Sequence, residues 1–460
     1  MWKDRKGRTM RPPECRSAGR RGVTHTTAED GGALSLACHY RTKRWSLRTA
    51  MVLLLAVCGK GRGAGSEGDD RQRHHGADEF DDLRRRKSPR LAPEDWQKEG
   101  FAFADRRQAE FEALRVDKMK SPVELESIHV ANVSAADFRE KYEALHVPVV
   151  IDGIPETEMW GAAEWTIPVL AQKYPRMNVM VGSEKGDRRI LLTMEEFERY
   201  ARTNKDDMPM YVFDWAVYED GVGKEAMAGY RVPSVFEEDL FALVEEHDQY
   251  PAHRWLLVGP KRSGSMCHND PLGTSAWNTL LSGRKLWFLA PPHLEDAVLA
   301  TRDTIVARWF LEAVPQLQAR YGDEIIMHVQ HPGETMFVPG FWMHAVLNLD
   351  DATAVTQNFV SSHNFPEAWE YTSLYLPRFA GEWLRELSLS GKHQHLAALA
   401  MRIDANARKG PASVPAYYYD DDDDDDDEDI EYDGDDDIDE VMDGEDHGQG
   451  RHVSHGEGEL

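Results

Sequence analysis

The chain has 460 residues, 41% of them hydrophobic, and a formal net charge of −27. That apolar content is enough for one substantial core or two modest ones, so a wholly disordered or fibrous chain is excluded. Roughly twenty-one of the negative charges lie between Asp420 and Leu460, so the acidity describes a tail and leaves the folded part only mildly acidic.

The first 65 residues are rich in Arg, Gly and Ser and carry about ten net positive charges. Within them, residues 50–58 form an apolar run that follows Lys43, Arg44 and Arg48. The run is signal-like but too short to span a bilayer, so no stable membrane span is expected; it reads as a secretory or organellar signal or as a plain leader. Of four cysteines, Cys15, Cys38 and Cys58 fall in this extension and only Cys267 in the expected core, which argues against a disulfide framework and fits a reducing compartment. Residues 84–90, Arg-Arg-Arg-Lys-Ser-Pro-Arg, are a basic cluster suited to nuclear import or nucleic acid, and equally to a solvated linker. We place the disordered or targeting extension at 1–95, with order beginning near Trp96.

An N-terminal α/β region is expected over 96–250. Ser134-Ala-Ala-Asp137 reads as a capping box ahead of an amphipathic helix to Leu145, followed by a buried strand over 147–151. Helical periods recur over 167–173, 194–202 and 235–246. From 254 to 359 the chain turns into short β-type runs broken by Gly, Pro, Asn and Asp, which predicts an antiparallel barrel or sandwich over 251–362. Residues 277–281 and 285–289 around a Ser282-Gly283 turn read as a hairpin, and strands are expected over 335–338, 344–349 and 353–359. The helical period returns over 367–375, 380–389 and 393–403, giving a C-terminal helical subdomain at 363–410. The tail, 411–460, is too acidic to bury a core and is read as disordered, serving either solubility or docking of basic proteins.

His268 and Asp270 stand two positions apart, so on an extended strand they project from one face. His344, just after the Pro339-Gly340 turn, is placed to add a third ligand from a distant strand. Two histidines and one carboxylate on one face form the facial triad of non-haem iron(II) oxygenases, which leaves positions open for a co-substrate and dioxygen. Lys285, in an apolar run one strand on, is either a surface lysine on a strand edge or a buried one that requires an anionic partner, for which the remote carboxylate of a co-substrate would serve. Asn278 and Thr356 are short polar residues on apolar strands that could complete its hydrogen bonding, or be satisfied core residues.

Three runs carry a family resemblance: 254–278, containing Arg262-Ser263-Gly264 and His268-Asn269-Asp270-Pro271-Leu272-Gly273-Thr274; 332–344, from Pro332-Gly333-Glu334-Thr335 through Val338-Pro339-Gly340 to His344; and 346–359, ending Thr356-Gln357-Asn358-Phe359. With Tyr211-Val212-Phe213-Asp214, these resemble the JmjC-domain arginine demethylase and lysyl-hydroxylase family, once called the phosphatidylserine receptor. The resemblance spans about residues 96–376 and implies a mainly β fold with flanking helices, a double-stranded β-helix of the cupin or jelly-roll kind. It implies iron(II) at His268, Asp270 and His344, and 2-oxoglutarate contacts at Asn278, Lys285 and Thr356. Ser265 stands where the family usually has Thr and keeps the hydroxyl, and Tyr211 would line the pocket wall. Met266-Cys267, Asn269 and Phe341-Trp342-Met343 depart from the family pattern without removing a ligand.

The implied reaction uses 2-oxoglutarate and O2 to hydroxylate lysine at C5 in Lys/Arg-rich proteins of RNA processing or chromatin; methyl-arginine demethylation through loss of formaldehyde is the second family activity. Alternatives are a JmjC oxygenase acting on another residue, or a cupin-fold scaffold or receptor without turnover. A nuclear or nucleocytoplasmic site of action is expected, or a secretory or organellar one if the 50–58 run acts as a signal; the resemblance also implies a homodimer through the C-terminal helices, where Trp369, Tyr371, Leu374, Tyr375, Trp383 and Leu384 could instead pack within the chain.

Overall fold

The structure is a computed structural model, and its described residues are 2–3, 9–10, 107–115, 123–181, 190–218, 221–245 and 251–407 except 302 and 304. The leader with its 50–58 run, the 84–90 cluster, the expected onset at Trp96 and the tail from 411 lie outside the described residues, apart from the antiparallel pair Trp2–Lys3 (β1) and Thr9–Met10 (β2).

The N-terminal region contributes Ser127–His129 (β3), Val149–Asp152 (β4), Asn178–Val181 (β5), Ile190–Thr193 (β6) and Val212–Asp214 (β7). Ser134 caps the first helical turn by accepting from the Asp137 amide, and the helix Ala135–Phe138 runs on as a π-turn, Arg139–Glu143. Helices Ile167–Lys173 and Met194–Thr203 form where the period predicts, the second closed by a reciprocal capping box between Thr193 and Glu196. The helix expected over 235–246 does not form. Two short 3-10 turns, Ser234–Phe236 and Leu240–Val244, replace it, because the Asp239 carboxylate accepts from the Phe241 and Val360 amides and from Gln357, holding residue 239 extended.

The remaining strands are Arg254–Gly259 (β8), Gly264–His268 (β9), Ser275–Ser282 (β10), Lys285–Ala290 (β11), Ile326–Gln330 (β12), Glu334–Val338 (β13), Met343–Asn348 (β14) and Ala352–Phe359 (β15). They form two sheets: β3-β4-β13-β10-β15-β8-β7-β5-β6, and β12-β11-β14-β9. From β8 to β15 each strand crosses to the other sheet, except that β11 and β12 stay together. This is the double-stranded β-helix.

Two sequence expectations are corrected here. β10 and β11 are not a hairpin: β10 pairs with β13 and β15, β11 with β12 and β14. The Gly283 turn, at φ +79, swings the chain from one sheet to the other, and a Cβ there would lie 2.3 Å from the Asp351 carbonyl oxygen. Nor is 254–359 all β. Helices Glu295–Leu299, Val306–Glu312 and Val314–Tyr321 are inserted between β11 and β12, and cover the outer face of the smaller sheet with Trp309, Phe310, Val314 and Leu317.

Period-2 alternation divides each strand between two cores. On β11, Leu286 and Phe288 join the helix-covered cluster, while Trp287 and Leu289 turn inward onto Met336, Val338 and Val346. Trp277, Phe337, Val355 and Phe359 face the N-terminal region instead. Lys285, His344, Asn348, Asn278 and Thr356 fall on the inward phase, so the polar residues of interest share the interior between the sheets. The C-terminal helices Phe365–Tyr375, Pro377–Leu389 and Gln394–Ala407 bury Trp369 and Trp383 with Leu240, Phe241 and Leu272, so these two aromatics pack within the chain. Among the described residues no helix is long and apolar enough to cross a membrane.

Candidate metal centre and adjoining pocket

His268 ends β9 and His344 is the second residue of β14, and the two are direct partners in the antiparallel ladder. Their rings lie 4.3 Å apart between centroids. Asp270 follows in the turn that leaves β9. One ligand atom from each of the three lies within 4.8 Å of the others, and Asp270 Oδ1 is 3.9 Å from His344 Nε2.

Local backbone geometry aims these groups. Between His344↔His268 and Val346↔Ser265 the register slips, so that Met266 and Cys267 oppose the single residue Ala345. This β-bulge sends Met266 and Cys267 to the helix-covered core and keeps Ser265 and His268 in phase with the inward residues of β14. Two of the residues that depart from the family pattern are thus consumed by the bulge. Gly264 makes the slip feasible, since a Cβ there would lie 1.9 Å from the Val346 carbonyl oxygen. Gly264→Ala should push β9 off β14, cost about 1–3 kcal/mol as overpacking, and separate the two histidines; metal titration and thermal melts check this, and wild-type values in both would refute it.

Both imidazoles are oriented by backbone carbonyls. His268 Nδ1 is 2.7 Å from the Met266 oxygen and His344 Nδ1 is 3.0 Å from the Trp342 oxygen. A carbonyl only accepts, so Nδ1 carries the proton and each Nε2 keeps its lone pair for a ligand. Asp270 Oδ2 is buried with no hydrogen-bond donor among the described residues. An orphaned carboxylate oxygen is costly, and a cation held by two imidazole nitrogens and this oxygen removes the cost. The donor set suits a divalent first-row ion such as iron(II).

Lys285, 1% exposed, enters the same interior from β11. Burial pulls its pKa down to about 7. Among the described residues no carboxylate neutralises it; its neighbour is the Tyr211 hydroxyl at 3.4 Å, whose own pKa burial raises. Asn348 is the direct ladder partner of Lys285, and Asn278 that of Thr356. The Oδ1 atoms of both asparagines are buried without a donor among the described residues. Thr356 donates to the Trp277 carbonyl at 2.7 Å, which leaves its oxygen able to accept. Ser265 lies one bulge away from His268, on the same inward phase. A buried cation, two amides and hydroxyls form a receptor for a small carboxylate beside the triad.

Sequence reasoning did not single out Asn348 or Gln330. Gln330, fully buried, takes the Trp287 indole N–H at 2.8 Å and donates across the interior to the Asn278 carbonyl at 2.9 Å, tying the two sheets together. Both are polar residues on the inward phase of otherwise apolar strands, a signal that becomes readable once Lys285 fixes that phase.

A His-Asp-His set at one end of a double-stranded β-helix, with a buried lysine beside it, defines a cupin-type oxygenase architecture. Comparison narrows the class. Residues 255–359 match the family described as JmjC domain, hydroxylase. The chain is 34% identical over 274 residues to the bifunctional arginine demethylase and lysyl-hydroxylase psr-1 of Caenorhabditis elegans, covering 56% of this chain and 66% of that one. It is 35% identical over 275 residues to the protein of the same name from Caenorhabditis briggsae, covering 56% and 67%. A more distant relative, the mouse 2-oxoglutarate and iron-dependent oxygenase JMJD4, is 25% identical over 166 residues, covering 35% and 39%. The matched stretch thus spans about two thirds of each psr-1 protein. The chain belongs to the JmjC family. Membership implies iron(II) and 2-oxoglutarate as the cofactor pair, and the residues described above fit both.

Proposed function

We propose that this protein is an iron(II)- and 2-oxoglutarate-dependent protein hydroxylase that uses O2 to hydroxylate lysine side chains at C5, with methyl-arginine demethylation as its second activity. The observation that carries the reading is the convergence of His268, Asp270 and His344, with both Nε2 lone pairs presented and Asp270 Oδ2 unpaired. When bound, the metal with 2-oxoglutarate and O2 supplies the oxidant that inserts one oxygen atom into a C–H bond, giving succinate and carbon dioxide as co-products.

The chain's own residues bind, orient and exclude water. Lys285 holds the distal carboxylate of the co-substrate as an ion pair in a dry site, with Tyr211, Asn278, Thr356 and Ser265 as hydrogen-bonding neighbours. Trp287, Leu289, Met336 and Val346 close the interior, so a reactive oxidant meets little but the positioned substrate.

A cationic acceptor is supported at the helix that packs on the ligand-bearing loops. Phe341, three residues before His344, lies 5.2 Å from the Tyr371 ring. Glu295 and Glu370 are close enough to Tyr371 to raise its pKa, after burial and Tyr375. Burial, then Asp296, lifts Glu295 to about 7, and burial likewise raises Glu367. Carboxyls held partly desolvated favour an incoming ammonium or guanidinium, which lets them ionise.

The test is succinate release and peptide mass shift with iron(II), ascorbate, 2-oxoglutarate and Lys/Arg-rich peptides, with His268→Ala as control. A +16 Da product on lysine that disappears in the control is expected. Metal binding without any turnover or succinate would favour the scaffold reading, and product on another residue the alternative hydroxylase.

A further inference from the structure

His344 is held in place from outside the β-helix. The turn between β13 and β14 contains Phe341 at φ +67, a left-handed conformation that bulky residues rarely adopt and that persists only where the surroundings enforce it. Two clamps do so. On one side Phe341 packs against Tyr371 of the helix Phe365–Tyr375. On the other, the Trp342 indole N–H donates to the His146 carbonyl at 3.1 Å. His146 is itself left-handed, at φ 49, and closes the segment that begins with the π-turn Arg139–Glu143. The Trp342 carbonyl in turn accepts from His344 Nδ1 at 3.0 Å.

These contacts form one linear series: His146 C=O, Trp342 indole N–H, Trp342 C=O, His344 Nδ1–H, and then Nε2 facing Asp270. His146 and Tyr371 both lie outside residues 255–359, the stretch matched to the family domain.

We propose that Trp342 is a positioning residue for the metal centre, coupling the third ligand to the N-terminal segment that ends at His146. The inference rests on the reading of His268, Asp270 and His344 as that centre. A histidine ligand binds well when its tautomer and ring plane are set in advance, and removing the partner that sets them weakens metal binding by about 10–100-fold. Trp342 is 7% exposed among Trp287, Leu289 and Val338, so Trp342→Phe keeps most of the packing and deletes the N–H.

The experiment titrates the full chain with cobalt(II) by calorimetry, well below the unfolding temperature, in wild type, Trp342→Phe and Trp383→Phe. Trp383 also donates from its indole to a backbone carbonyl, that of Leu240 at 3.0 Å, but in the C-terminal helical core, and serves as the control for losing such a bond. Trp342→Phe keeps the carbonyl that His344 uses and loses only its anchor, so it should bind measurably more weakly than wild type but by less than the roughly 10–100-fold that removing the direct partner costs, and Trp383→Phe with wild-type affinity, though both melt earlier. Equal affinity in wild type and Trp342→Phe, or equal weakening in both variants, overturns the proposal. A wild type that binds no metal overturns instead the reading of the centre on which it rests. A second measurement needs no variant: nitrogen-15 NMR of the wild type should place the His344 proton on Nδ1, and a proton on Nε2 would refute the series.

Discussion

Replacing Asp270 with alanine should abolish metal-dependent turnover and yet leave the metal-free protein at least as stable as wild type. Loss of a group that merely orients a ligand costs about 10–100-fold in metal affinity or activity, so loss of a ligand should exceed the upper figure. Stability moves the other way because Asp270 Oδ2 is buried with no donor among the described residues, and removing an unsatisfied carboxylate oxygen relieves a desolvation cost of about 1–3 kcal/mol. Adding metal should reverse the order. A divalent ion at a hundredfold excess over its dissociation constant stabilises the wild type by about 2.7 kcal/mol and the variant not at all. Thermal melts with and without manganese(II), beside succinate release, measure both arms. An Asp270→Ala protein that still gains stability from the metal would remove this carboxylate from the site.

The second large effect concerns Lys285 and pH. Its pKa, lowered by burial to about 7, lies below the roughly 10.4 of an unfolded lysine. The unfolded chain therefore binds more protons between these values. The burial cost is present in full below pH 7 and is relieved as pH rises from 7 toward 10. Binding of a carboxylate reverses the preference, because an anion against Nζ favours the charged form and raises the pKa. Above pH 7 the co-substrate must therefore bring a proton with it. Its apparent affinity should fall by up to about tenfold per pH unit from pH 7 upward, while the free protein becomes more stable over the same range. Calorimetry at pH 6.5, 7.5 and 8.5 measures the slope. Lys285→Met should bind 2-oxoglutarate more weakly by about 2–5 kcal/mol and lose the slope, since the partner carboxylate is left buried and unpaired. A slope that survives in Lys285→Met would assign the titration to another group.

Most of the site was legible in the sequence because its information is local. His268 and Asp270 lie two residues apart on an extended segment, which fixes them to one face; the Pro339-Gly340 turn marks His344 as belonging to the strand that follows; and Lys285 in an apolar run is either a buried charge in need of an anion or a surface residue on a strand edge, a choice that its burial in the structure makes. The helices at 167–173 and 194–202 were equally readable from period, because a helix satisfies its hydrogen bonds within itself. What failed was each inference about which segments meet. The Ser282-Gly283 turn looks like a hairpin in one dimension, but neither strand's pattern says which sheet it will join. The 235–246 period was broken by Asp239, whose partners Gln357 and Val360 are more than a hundred residues away.

The sequence alone therefore determined the His268, Asp270 and His344 set that could hold a metal, the lysine in an apolar run, the β-rich core and the family, since these depend on residue identity and short-range spacing. Only the tertiary structure decided the alternation of strands between two sheets and the bulge that consumes Met266 and Cys267. It likewise decided the roles of Asn348 and Gln330 and the tether from His146 through Trp342 to His344. Each of these depends on hydrogen bonds and packing between segments far apart in the chain, where the partner that satisfies a group is set by the whole fold and leaves no mark on its neighbours in sequence.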